Sequence, residues 1–234
     1  MKLSILLRGN TFIAKDRFGF SMDARHNAVS LKEQLINPIR EMYPAAKLYL
    51  VTYDSPVLAE VSELLQPCEL ILLDAAGSSQ LDSFKRGLTH VFDHDDFDAL
   101  VATRFDVEFL KPFNQWGIDI NQSTIYFPFK ETSAGWRNSR TVGDTVHVIG
   151  RKSFTAFHRA LLMAELARRK DMHLLYYFLR TMTAELDFIQ DGYWDSNTMW
   201  GDPECDNPLY KIFYRKVSRR SPLRDTWMPE ALSE

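Results

Sequence analysis

The segment FDHDDFDALVATRFDVEF sets two acidic groups on either side of one short apolar run. Asp96-Phe97-Asp98 precedes the run, and Arg104-Phe105-Asp106-Val107-Glu108 follows it. Paired carboxylates suit a hard divalent cation, while an arginine beside them can fork onto a phosphate. If the chain stays extended beyond the run, Arg104, Asp106 and Glu108 project to one side. Arginine also ends the first apolar run, in Arg8-Gly9-Asn10, and two further runs end in Tyr53-Asp54 and Asp74. No GxGxxG follows the first run and no GxxxxGK[ST] occurs anywhere, so neither a dinucleotide fingerprint nor a P-loop is supported.

These groups need elements to position them. Residues 3–7, 47–52, 68–73 and 99–103 are brief, nearly all-apolar runs that read as buried strands. Between them lie helical patterns. Ser30 is placed to cap one, with Leu31, Leu35, Ile36, Ile39 and Met42 at helical spacing and Tyr43-Pro44 ending it. A second runs from Pro56 to Leu65, and a third carries Leu81, Phe84, Leu88 and Val91 on one face. Repeated βα units predict an α/β fold whose sheet is mainly parallel and flanked by helices, a Rossmann-like half-fold. In such sheets ligands bind beyond the carboxyl ends of the strands. Arg8, Gly9, Asn10, Tyr53, Asp54, Arg104 and Asp106 fall on that edge. Asp96 and Asp98 fall on the opposite one and read as a solvated turn.

After residue 105 the pattern changes. Strands are predicted over 124–127 and 145–149, with a polar loop between them that contains Glu131, Trp136, Arg137 and Arg140. Helices are expected over 152–170 and 173–183, then the turn-rich stretch DGYWDSNTMWGDPECDNP and a last strand over 210–214. His147 alternates with Val146 and Val148 and reads as a satisfied core histidine, as does His173 before LLYYFL. The expected organisation is one domain over 1–217, with a ligand-edge half to 110, a second half over 111–217, and a peripheral tail over 218–234.

The 234 residues carry 28 Lys+Arg against 31 Asp+Glu, a net charge of −3, which disfavours a nucleic-acid partner. The apolar stretch before Arg8 is too short for a signal core or a membrane span, so a cytoplasmic protein without a span is expected. Cys68 and Cys205 form no CxxC, and Cys68 opens an apolar run where a buried free thiol is expected. Aromatics reach 13%, many of them in the second half, where a core and a platform for ring-shaped ligands both use them.

The order of ILLRGN, SSQLDSFKRGL, DALVATRFDVEF, IYFPF, a Trp/Arg-containing loop and GDTVHVIGR resembles GT-A fold glycosyltransferases over residues 1–160. It is most similar to the small nucleotide-sugar-dependent enzymes of bacterial capsular-polysaccharide and large-virus glycan synthesis. The resemblance implies a GT-A-like sheet and transfer of a hexosyl or deoxyhexosyl unit from a nucleotide-diphosphate sugar, UDP-linked as first guess, to a glycan or other hydroxyl acceptor. It places Arg8, Gly9, Asn10, Tyr53, Asp54, Lys85, Arg104 and Asp106 around the donor, with Lys85 or Arg86 on the diphosphate or sugar. It also implies Mn²⁺ or Mg²⁺ on Asp106, with Glu108 a weaker second ligand and His173 a further candidate. RFD replaces the family's usual DxD, so Arg104 would supply part of the positive charge. Inversion needs a carboxylate to take the acceptor's proton. Asp144 is the first candidate and Asp195 the next, with Asp191 behind them. Trp136, Arg137, Arg140 and Trp194 would line the acceptor side. A sugar nucleotidyltransferase and a non-catalytic glycan-binding module stay open as alternatives.

Overall fold

Near-continuous apolar strands can be buried on both faces only if helices cover both sides of the sheet. Every residue of the first strand and of Thr124–Phe127 is buried, and Ala99–Arg104 is buried except at Arg104. The computed structural model describes residues 1–15, 21–74, 79–169, 171–182, 184–195 and 209–212. Its main sheet has strands β1 (Leu3–Arg8), β2 (Lys47–Tyr53), β3 (Glu69–Leu73), β4 (Ala99–Arg104), β5 (Thr124–Phe127), β6 (Val146–Gly150) and β7 (Glu185–Phe188). They lie in the order β7-β5-β6-β4-β1-β2-β3. Only β6 runs antiparallel to its neighbours. The architecture is therefore a GT-A-like, Rossmann-like mixed sheet, mainly parallel and flanked by helices.

The helices are α1 (Arg25–Ser30), α2 (Asn37–Met42), α3 (Leu58–Leu64), α4 (Gln80–His94), α5 (Ser133–Ser139), α6 (Phe154–Leu166) and α7 (Leu175–Leu179), with a π-helical stretch, Leu31–Ile36, joining α1 to α2. On one face Leu31, Leu35, Ile39 and Val61 meet Leu3, Ile5, Leu7 and Val101. On the other, Leu81, Phe84, Leu88, Phe157 and Leu175 meet Leu6, Leu100 and Ala102. Each such side chain removed from water contributes about 1.5–3 kcal/mol before entropy is counted. The three-and-four step predicted for α4 is present, and Ser79 Oγ accepts from Asp82 N at 3.2 Å to cap it.

The chain leaves β3 at the sheet's edge and returns to β4 beside β1, so the strand order reverses between β1 and β4. That reversal opens a crevice at their carboxyl ends. Arg8 and Arg104 are register partners there, side by side. Gly9 has φ +104°, a conformation glycine adopts without steric cost, and this lets the chain turn sharply off β1.

Several local expectations are corrected. Ser30 does not start a helix, because the helical rod already begins at Arg25. Its hydroxyl instead donates to the Phe109 carbonyl at 3.1 Å and accepts from Phe109 N at 2.9 Å. The chain is not extended after β4: Phe105 and Asp106 form a turn, and only Val107–Phe109 resumes as a strand, paired with Tyr210–Ile212. The polar loop between β5 and β6 contains a helix, α5, capped by Thr132 Oγ1 accepting from Gly135 N at 3.1 Å. Cys68 is a free thiol but only half-buried, and Cys205 and the tail over 218–234 lie outside the described residues.

Gly150, the last residue of β6, is pressed against the entry to β5. A Cβ there would stand 2.3 Å from the Gln122 carbonyl carbon and 2.7 Å from Ser123 N, both backbone atoms that cannot rotate away. Gly150→Ala is expected to cost about 1–3 kcal/mol by overpacking, read as a drop of several degrees in melting temperature. An unchanged melting temperature would show that this junction yields.

Candidate active site

Two arginines side by side repel unless carboxylates lie between them. Asp106 and Asp144 supply these. Arg104 Nε donates to Asp106 Oδ1 at 2.7 Å and its Nη2 donates to Oδ2 of the same carboxylate, a bidentate fork. Its Nη1 reaches across to Asp144 Oδ1 at 3.0 Å. Gln80, in the first turn of α4, donates to the other Asp144 oxygen. Arg8 Nη2 donates to the Asp144 carbonyl oxygen at 2.8 Å. Asp144 is thereby held through both side-chain oxygens and its own backbone.

Local structure explains the placement. Arg8 and Arg104 end adjacent parallel strands on the face covered by α4, and the Arg8 guanidinium carbon lies 4.5 Å from the Phe84 ring centroid. Asn27 is buried in α1, and its amide donates to the carbonyls of Phe105 (2.8 Å) and Val107 (2.7 Å). That double bond pins the turn after β4, so Asp106 meets Arg104. Asp144 enters from the segment before β6.

Burial shapes the electrostatics. Arg8 is only 1% exposed, and its Nε and Nη1 have no partner among the described residues. Desolvation pushes its pKa down to about 10, which still leaves it a cation. Burial alone would raise the Asp144 carboxyl, but Arg104, His173, Arg8 and the Gln80 hydrogen bond together hold it far below the ordinary carboxylate range. His147 is fully buried among Phe84, Phe127 and Phe157. Neither ring nitrogen finds a partner among the described residues, contrary to the satisfied core histidine expected, and burial pushes its pKa down to about 3, so it is neutral.

Beyond Asp144 lies a second small layer. Lys130–Glu131 pairs with Tyr193–Trp194, and Lys130 bridges Val142. Thr132, next to Glu131, has φ +30°, held there by its amide donating to the Trp194 carbonyl at 2.9 Å. Val142 N donates to the His173 carbonyl at 2.9 Å, and His173 Nδ1 bonds the Val142 carbonyl at 2.8 Å. His173 Nδ1 lies 3.9 Å from Glu131 Oε2.

The remaining sequence candidates are dispersed. Gly9, Asn10, Tyr53 and Asp54 lie at the carboxyl edge, Asn10 and Asp54 exposed and Tyr53 half-buried. Lys85 sits on the side of α4 that faces α6, its ammonium 2.9 Å from Glu165, and is not brought to the Arg8–Arg104 cluster. Glu108 pairs with Lys211 at 3.2 Å across the small antiparallel ladder. Trp136 packs on Tyr176 and Phe188 with Arg140 over its ring at 5.1 Å, while Arg137 is exposed. Trp194 is buried, its indole donating to the Asp191 carbonyl at 3.1 Å, and Asp195 follows it half-buried. Asp96 and Asp98 lie at the amino edge, bonded to Lys2.

Gln80, Asn27 and Glu131 were not singled out as site residues. For Gln80 the signal was available, since the residue just after a helix cap at the ligand edge faces whatever lies there. For Asn27 and Glu131 no local pattern marks their long-range partners.

A divalent cation fits this arrangement poorly. Among the described residues no group of three or more His, Cys, Asp or Glu side chains is disposed to hold one. Both Asp106 oxygens are already engaged by Arg104. Positive charge at the crevice is supplied by guanidinium.

No family model matches the chain, and no curated protein is similar to it in sequence. Solved structures are similar in fold. A protein from Desulfovibrio desulfuricans G20, provisionally assigned as a nucleotide-diphospho-sugar transferase, aligns with TM-score 0.51 and 12% identity, over 85% of this chain and 86% of that one. A nucleotidyl transferase from Methanothermobacter thermautotroptrophicus aligns with TM-score 0.50 and 12% identity, over 80% and 86%. A nucleoside-diphosphate-sugar pyrophosphorylase from Vibrio cholerae RC9 aligns with TM-score 0.50 and 12% identity, over 80% and 91%. What the chain shares with all three is the fold.

Proposed function

We propose that the protein is a glycosyltransferase that takes a sugar from a nucleoside-diphosphate donor, UDP-linked as first choice, and passes it to a hydroxyl acceptor. The observation that carries this reading is the pair of register-matched arginines at the carboxyl ends of β1 and β4. A diphosphate leaving group gathers negative charge as its bond to the sugar breaks, and fixed cations in a water-poor crevice stabilise that charge. Arg104, with a side chain 14% exposed, is the one able to meet the diphosphate. Arg8 lies behind it and acts through its field. The half-buried Glu131 and Trp136 are assigned to the acceptor side of the crevice, with the buried Trp194 as support beneath them.

The nucleotidyltransferase reading is favoured by the names of two of the fold's solved neighbours. Against it, the turn after β1 is the short Arg8-Gly9-Asn10 rather than a glycine-rich loop able to wrap a triphosphate. Products separate the two. Added UDP at about a hundred times its Kd should stabilise the protein by about 2.7 kcal/mol, or roughly 5–10 °C. UDP-hexoses should be slowly cleaved to UDP. Pyrophosphate release from UTP and a sugar phosphate, without cleavage of UDP-hexoses, would overturn glycosyl transfer in favour of the alternative. No thermal response to any nucleotide would leave a binding module.

A further inference from the structure

Glycosyl transfer to a hydroxyl needs an atom to receive the hydroxyl proton, and the carboxylates in the crevice are poorly suited to it. Both Asp106 oxygens accept from Arg104, and both Asp144 oxygens accept from Arg104 and Gln80. A carboxylate held in that way, with its pKa depressed, is a weak base. We propose that His173 receives the proton, through Nε2, and that Glu131 is its positioning partner. This rests on the reading of the site as a glycosyl-transfer centre.

The geometry supports the role at four points. A carbonyl oxygen cannot donate, so the 2.8 Å contact between Nδ1 and the Val142 carbonyl fixes the hydrogen on Nδ1 and leaves the Nε2 lone pair as the basic atom. The reciprocal bond from Val142 N to the His173 carbonyl ties the two backbones together, so the ring is oriented by a clamp two residues before Asp144. The side chain is 29% exposed, neither sealed in the core nor free in solvent. Glu131 Oε2, 3.9 Å from Nδ1, steadies the imidazolium as it forms.

The charged groups facing His173 are Asp144 from the segment before β6, Glu131 from the small parallel ladder, and Asp171 on its own segment, which is paired with Arg169. Burial alone would lower its pKa, but Asp144, Glu131, the hydrogen bond to the Val142 carbonyl and Asp171 together raise it above the ordinary histidine value. In the reaction the acceptor oxygen bonds to the anomeric carbon while its proton passes to Nε2. The bond from that carbon to the donor phosphate oxygen breaks, and its electron pair leaves with the nucleoside diphosphate, beside Arg104. With water as acceptor the same step releases the free sugar.

Release of UDP from a panel of UDP-hexoses, with water as acceptor, tests this without knowledge of the natural acceptor. His173→Gln should lower the rate at least about a hundredfold, leave the thermal response to UDP intact, and abolish the acid limb of the pH–rate profile. Glu131→Gln, which keeps the imidazole, should move that acid limb to lower pH, a shift that a merely structural role would not produce. Unchanged release in His173→Gln, or an acid limb that stays in place in both variants, overturns the assignment alone. A wild-type protein that neither binds UDP nor cleaves any UDP-hexose overturns the transfer reading and this assignment with it.

Discussion

Asp144→Ala is expected to lower the melting temperature by about 10 °C or more. The carboxylate accepts from Arg104 and its own backbone carbonyl accepts from Arg8, with the Asp144 side chain 5% exposed and the Arg104 side chain 14% exposed. Forming such a buried pair gains little over an apolar replacement, but removing Asp144 leaves one carboxylate, Asp106, which Arg104 already holds in its fork, to balance two buried guanidiniums. That costs about 3–5 kcal/mol, and in a domain of this size each kcal/mol is worth about 2–4 °C. Arg8 worsens the loss. It is more deeply buried than Arg104, two of its nitrogens have no partner among the described residues, and Asp144 is the first of the groups that keep it charged. A fall of only one or two degrees would mean that solvent reaches the cluster and that the crevice is wetter than its burial indicates.

The same carboxylate gives the protein a pH signature. Its folded pKa is depressed, so its contribution to stability is fully present above the unfolded value of about 3.9 and is lost as pH falls below that value towards the folded one. Wild-type stability should therefore decline through the acid range. Asp144→Ala, already without that contribution, should show a shallower decline over the same interval, measured as melting temperature against pH.

The strands of the first half were legible because burial on both faces leaves no alternation to confuse with a helix. Residues 47–52 and 99–103 were each extended by only one residue, to β2 and β4. The arginines at the ends of β1 and β4 could be assigned to the ligand edge from strand direction alone. What was not legible depended on partners distant in sequence. Ser30 has the residue type of a helix cap, but its partner is Phe109 across the core. β7 is an edge strand with an exposed alternate face, and its short ELDF sequence has no strong β signal. The basic stretch with Trp136 lacks helical periodicity, because α5 buries no residue fully and is fixed by its Thr132 cap and the packing of Trp136.

For the candidate site, the placement of Arg104 and Asp106 at the carboxyl end of β4 was readable and their wiring was not. RFD places an arginine and a carboxylate at the carboxyl end of β4, and both lie there. The assumption of an extended chain put Glu108 beside them. The turn at Phe105-Asp106, enforced by Asn27 from 78 residues away, instead folds Asp106 back onto Arg104 and sends Glu108 to Lys211. One long-range side chain thus converts three residues on one side of a strand into an intramolecular fork.

That fork makes Arg104→Lys the sharper test of the proposed chemistry. Lysine keeps the positive charge, so any mechanism that needs only a cation near the diphosphate should survive the change. The guanidinium does more here. Its Nε and Nη2 take both oxygens of Asp106 while Nη1 holds Asp144, three donors in one plane spanning two carboxylates. An ammonium is a single point with three donors on one atom and cannot bridge both with that geometry. Asp106 and Asp144 would lose their fixed separation, and the positive charge would no longer be aimed at a set place in the crevice. Because preorganised charge is typically worth 10²–10³ in rate for each donor removed, Arg104→Lys is expected to slow UDP release from UDP-hexoses by about a hundredfold or more. Its melting temperature should fall less than that of Asp144→Ala, since the charge count is unchanged. Activity within a few-fold of wild type would show that the crevice needs only net charge, and would remove the planar fork as the feature that the fold is built to hold.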